Sequence, residues 1–101
     1  MAFVPVCKTS DVPLGNIRAF KANDKDIAIA NVEGKFYCIN GRCTHKGGPL
    51  GEGELDGITV TCPWHGGQFD VTTGKVLSPP APTAVSCFKL KVEGGQILVD
   101  A

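Results

Sequence analysis

Both histidines of this 101-residue chain fall in one two-part pattern: Cys43-Thr44-His45 and, after sixteen intervening residues, Cys62-Pro63-Trp64-His65. Each part pairs a sulfur with an imidazole, so any fold that uses the pattern must bring two loops distant in sequence to a common point. Two thiolates and two neutral imidazoles suit a [2Fe-2S] cluster with unlike irons, one held by the sulfurs and the other by the nitrogens. The same four side chains also satisfy a closed tetrahedral zinc site, and a metal-free packing of them is a third reading. In zinc modules, however, the ligands usually come as a Cys pair with a His pair or as two Cys pairs. Here each knuckle is mixed, and each is followed by glycine, Lys46-Gly47-Gly48 and Gly66-Gly67. Bare backbone at those places lets amide N–H groups approach the sulfurs of a cluster and tune its potential. The spacing favours iron-sulfur over zinc.

The surrounding residues extend the pattern. Cys43-Thr44-His45-Lys46-Gly47-Gly48-Pro49-Leu50 and Cys62-Pro63-Trp64-His65-Gly66-Gly67-Gln68-Phe69-Asp70 are followed by Thr73-Gly74 and the proline-rich Ser78-Pro79-Pro80-Ala81-Pro82. Together these resemble the cluster-binding loops of Rieske iron-sulfur proteins, and of the small soluble Rieske-type ferredoxins in particular, over nearly the whole chain. The resemblance implies that Cys43 and Cys62 hold the inner iron and His45 and His65 the outer one. It implies that Ser78 to Pro82 cover the cluster, where the residues alone read equally well as an ordinary connection. It also implies an all-β fold: a Rieske-like antiparallel β-sandwich or barrel base with an inserted cluster-binding subdomain at about 41–70, the whole chain forming one domain.

The sequence departs from the Rieske subunits of respiratory and photosynthetic cytochrome complexes. Those carry a disulfide between the loops, where this chain has Gly48 and Trp64, and donate serine and tyrosine hydroxyls to the sulfurs, where this chain has Gly67 and Phe69. Fewer donors leave more electron density on sulfur, so the resemblance implies a potential toward the low end of the Rieske range, nearer about −150 mV than +300 mV.

At this length the chain has room for one core but not for a deep substrate pocket besides. Its formal net charge is zero and its pI near 6.7, which argues against nucleic acid or a membrane surface as a partner. No apolar run approaches a spanning helix, and Met1 to Val6 lacks the form of a signal peptide, so the expected compartment is the cytoplasm. Cys7, Cys38 and Cys87 match no second metal motif and read as small apolar residues in or near strands, since a reducing compartment disfavours a disulfide among them.

Strands are expected at Phe3 to Cys7, Ile17 to Ala22, Asp26 to Val32, Lys35 to Ile39, Ile58 to Thr61, Gln68 to Asp70, Val85 to Val92 and Gln96 to Val99, each rich in β-branched or aromatic residues and bounded by turn residues. In Phe88-Lys89-Leu90-Lys91-Val92-Glu93 the apolar members are expected to face the core and the charged ones water. Glu33-Gly34, Asp56-Gly57, Thr73-Gly74 and Gly94-Gly95 read as hairpin turns. No 3.6-residue period supports a long helix.

No base, carboxylate pair or phosphate loop for substrate chemistry appears. Trp64 reads as a shield for the cluster or as core packing. Glu52, Glu54 and Asp56 read as a solvated loop or as a surface that steers a basic partner. The resemblance then implies a one-electron carrier, not an enzyme: a monomer passing electrons from a flavin-containing ferredoxin reductase to a terminal oxygenase in aromatic hydrocarbon catabolism. The alternative is a small Rieske-like subunit of a nitrite reductase or other multicomponent oxidoreductase, with a structural zinc module behind it.

Overall fold

The computed structural model describes residues 3–42, 49–64, 66–78 and 85–100. Among these residues ten strands run in chain order: β1 (Phe3–Lys8), β2 (Ile17–Ala22), β3 (Lys25–Val32), β4 (Lys35–Asn40), β5 (Glu54–Asp56), β6 (Thr59–Thr61), β7 (Gln68–Asp70), β8 (Val76–Ser78), β9 (Cys87–Glu93) and β10 (Gln96–Asp100). Two single 3-10 turns, Thr9–Asp11 and Leu50–Glu52, are the helical elements among the described residues.

Six strands form an antiparallel sheet in the order β1-β10-β9-β4-β3-β2, and β1 returns to lie beside β2, which nearly closes the sheet into a barrel. The other four form a second antiparallel sheet, β5-β6-β7-β8. In chain order it falls wholly between β4 and β9, so it is an insertion into the connection between two neighbouring strands of the larger sheet. The all-β expectation is met.

Strand β3 shows why the two sheets belong together. Its residues Ile27, Ala28, Ile29 and Ala30 are all fully buried, because each face of the strand has its own apolar cover. Ile27 and Ile29 pack with Val12, Cys38, Ile97 and Val99 inside the barrel. Ala28 and Ala30 face the other way, into a core shared with Val60, Cys62, Phe69 and Val71 of the insertion. The small side chains on that second face let the inserted sheet approach closely. Next to them, the buried Asn31 donates from its side-chain amide to the Val12 carbonyl at 2.9 Å and accepts from the Gly34 N–H at 2.9 Å. One polar side chain thus ties the β3–β4 turn to the segment leading into β2.

Most expected strands appear within two residues of their expected limits, and β2 and β7 match at both ends. The expected hairpin glycines adopt left-handed backbone, with φ of 92° at Gly34 and 62° at Gly57. Strand β8 is not among the expected strands, and three further details differ. Glu54 and Asp56 lie on a strand rather than a loop, because Leu55 between them is half-buried and pairs with Val60. Val92 is 46% exposed, so the alternation of β9 ends with Leu90, before the strand reaches its outer end. Strand β9 starts at Cys87, two residues later than its composition suggests.

Candidate metal centre

Of the four expected ligands, Cys62 lies among the described residues, whereas Cys43, His45 and His65 lie outside them, as do Gly47, Gly48 and the prolines 79, 80 and 82. Cys62 follows β6 directly and is 1% exposed. Its backbone N–H donates to the Gly67 carbonyl at 2.7 Å, which closes the β6–β7 connection into a tight loop. Within that loop the Trp64 N–H donates to Cys62 Sγ at 3.4 Å. The turn is possible because Gly66 adopts φ of 76°. The second knuckle is thereby a loop built around a buried, amide-solvated sulfur.

The first knuckle is framed by its two ends. Arg42 and Pro49 form an isolated antiparallel bridge, and the Leu50 N–H donates to the Gly41 carbonyl at 2.9 Å. Gly41 is itself strapped to β3 through its N–H to the Asp26 carbonyl at 2.9 Å, and Arg42 Nε donates to Asp26 Oδ2 at 3.0 Å. Both ends of the loop are therefore fixed to the larger sheet. The flanks of the first loop meet the second at two places: Leu50 and Cys62 share one buried core, and Pro49, Arg42 and Trp64 line one shallow notch with Phe20.

Trp64 is 47% exposed, so the core-packing reading of this residue is overturned. It stands at the rim of the notch. Leu50 is fully buried in the core that it shares with Cys62.

The remaining cysteines are free. Cys38 is buried in the barrel core, and burial pushes its thiol up to about 12, helped by the neighbouring Cys87 and Cys7. Burial, and then the Asp11 carboxylate, raise Cys7 to about 11. Cys87 is also raised, by burial and then by Asp70, although its side chain is exposed rather than packed as an apolar filler. Among the described residues no set of three Cys, His, Asp or Glu side chains converges on a metal-sized space.

The Rieske [2Fe-2S] domain pattern matches residues 2–89. The chain is 39% identical to the biphenyl dioxygenase ferredoxin subunit of Pseudomonas sp. (strain KKS102), over 99% of this chain and 93% of that one. It is 42% identical to the 3-phenylpropionate/cinnamic acid dioxygenase ferredoxin subunit of Shigella flexneri, over 93% of this chain and 89% of that one. Among solved structures, the ferredoxin of carbazole 1,9a-dioxygenase from Nocardioides aromaticivorans superposes with a TM-score of 0.92 at 27% identity, over 98% of this chain and 97% of that one. A chain in a complex of reduced oxygenase and oxidized ferredoxin of carbazole 1,9a-dioxygenase matches with a TM-score of 0.88 at 36% identity, over 96% of this chain and 91% of that one.

The chain belongs to the Rieske [2Fe-2S] domain family, as a Rieske-type ferredoxin: an electron-transfer component rather than an enzyme. The family carries a [2Fe-2S] cluster, one per chain. The described part of the site fits that group, because Cys62 presents a buried sulfur already accepting an amide hydrogen bond, as cluster sulfurs require. No helix among the described residues is long and apolar enough to cross a membrane.

Proposed function

We propose that this protein carries single electrons from a flavin-containing ferredoxin reductase to a terminal oxygenase of the ring-hydroxylating type. The observation that carries the reading is the buried Cys62 sulfur in its amide-lined loop, set against a first loop whose two ends are pinned beside it. Cys43 and Cys62 hold one iron through thiolates, and His45 and His65 hold the other through imidazoles. When bound, the cluster supplies a one-electron redox couple, with the added electron favouring the histidine-ligated iron. The protein's part is to solvate the sulfurs with backbone donors, to exclude water with Leu50 and Pro49, and to leave one edge accessible.

The relatives named as ferredoxin subunits of biphenyl and phenylpropionate dioxygenases support the oxygenase as partner, as does a relative solved in complex with its oxygenase. Glu54 pairs with Thr61, the residue before Cys62, so its exposed carboxylate stands near the second loop and would steer a basic partner surface. One domain with its cluster region inserted between β4 and β9, working as a cytoplasmic monomer, completes the proposal. The free thiols accord with a reducing compartment.

The test begins with composition: iron-replete protein should contain two irons and two sulfides per chain and show the low-average-g resonance of a reduced mixed-ligand cluster. Cys62→Ala should lose both. Stoichiometric zinc without sulfide overturns the reading. A flavoprotein reductase and a dioxygenase should then turn over only when this chain is added.

A further inference from the structure

Gly51 and Gly53 lie just beyond the first knuckle, and both have backbone that any residue adopts; at Gly53, φ is −81° and ψ −173°. Neither is there for a left-handed turn. Each is there for space. A Cβ on Gly51 would stand 2.5 Å from the backbone N and Cα of Ala19 in β2, and closer still to its side chain. A Cβ on Gly53 would overlap the carbonyl oxygen of Thr61 and stand 3.2 Å from that of Leu50. On the near side of the loop, a Cβ on Gly41 would stand 2.9 Å from the Asp26 carbonyl carbon and the Ile27 nitrogen. These neighbours are backbone, which cannot swing aside as the end of a flexible side chain can.

The Gly53 contact matters most, because Thr61 is the residue immediately before Cys62. There the backbone leaving the first loop touches the backbone entering the second, with no side chain between. We propose that Gly53, supported by Gly51 and Gly41, is a positioning residue that sets the separation of the two ligand loops and thereby the geometry and potential of the cluster they share. A methyl at position 53 wedges the stems apart. A methyl at 51 lifts the Leu50–Glu52 turn off β2 and reaches the loops less directly. This inference rests on the ligand assignment proposed above.

The experiment compares Gly41→Ala, Gly51→Ala and Gly53→Ala with Gly57→Ala. Gly57 has φ of 62° and open space around its missing Cβ, at the β5–β6 turn, so its substitution strains the fold without touching the stems. The readouts are iron and sulfide per chain, g-values of the reduced cluster, midpoint potential and thermal midpoint. Gly53→Ala is expected to at least halve the cluster content as purified and to displace the g-values and potential of what remains. Gly51→Ala should follow and Gly41→Ala should show the smallest change, while Gly57→Ala lowers the thermal midpoint with wild-type g-values and potential. Should Gly53→Ala not accumulate, Gly51→Ala and Gly41→Ala carry the comparison. Wild-type spectra and potential in every stem variant that folds, or an equal displacement in Gly57→Ala, overturn the proposal. Absence of iron and sulfide from the wild-type protein instead overturns the ligand assignment.

Discussion

The backbone N–H of Trp64 donates to Cys62 Sγ at 3.4 Å, a donor that no side-chain substitution at position 64 removes except proline. Trp64→Phe keeps the amide and should leave the potential near wild type. Trp64→Pro deletes it, so more negative charge stays on the sulfur and the reduced cluster is harder to form. Square-wave voltammetry should show a fall of some tens of millivolts for the proline variant alone. Equal shifts in both variants would assign the effect to loss of the ring.

The buried thiols predict a pH dependence with a definite sign. Cys38 titrates at about 12 and Cys7 at about 11, against 9.0 for an ordinary thiol. Between pH 9 and these values the folded chain keeps protons that the unfolded chain has released, so the stabilisation is complete below about 9 and declines as pH rises toward 12. Urea midpoints of wild-type protein should drop from pH 8 to pH 11 more steeply than those of Cys38→Ala. For the buried Cys38, every tenfold by which folding tightens its hold on the proton is worth about 1.4 kcal/mol. Alkylation at pH 8 should modify Cys87 first and leave Cys38 intact, since only the former is exposed.

Asn31 joins Val12 and Gly34 through one buried and one part-buried hydrogen bond. Asn31→Ala strands a carbonyl and an N–H, at a cost of roughly 1–3 kcal/mol for each partner that water cannot reach. Gly34 N–H lies at a turn that water can approach, so the lower part of the combined range is expected from denaturant unfolding. The iron content of folded protein should not change, because neither partner belongs to the cluster loops.

How far the sequence revealed this arrangement depended on where the cause of each element lay. Strand β2 was legible because its composition and its flanking turns agree. Strand β5 was not, because Glu54-Leu55-Asp56 is strand only through pairing with β6, a relation that composition does not carry. The knuckles were plain as a ligand pattern. The role of Gly53 was hidden, since a glycine in a sequence does not tell whether it serves conformation or space; Gly57 serves the first and Gly53 the second. The exposure of Cys87 and Trp64 was equally hidden, because both are of residue types that usually pack, and their surroundings are set by tertiary contacts.

The missing hydroxyls yield the most quantitative expectation. Gly67 and Phe69 stand where high-potential relatives are expected to carry serine and tyrosine. Phe69 is fully buried in the same core as Cys62, so a tyrosine hydroxyl placed there is shut off from water and must find its partner inside the protein. A hydrogen bond to a charged acceptor is worth roughly 1–3 kcal/mol. At 59 mV and 1.4 kcal/mol per tenfold change for one electron, that sets an upper limit of roughly 40–130 mV upward per substitution. Only the difference between oxidation states counts, so a few tens of millivolts is expected for Phe69→Tyr and for Gly67→Ser. The pair should approach the sum if the hydroxyls reach different sulfurs. Stability supplies a second readout for Phe69→Tyr. A hydroxyl that reaches sulfur leaves the unfolding midpoint near wild type, whereas one left unpaired in the core costs roughly 1–3 kcal/mol and moves no potential. An intact cluster with unchanged potential and lowered stability would show that Phe69 does not point its ring toward the sulfurs, and the account of a low potential would fall with it.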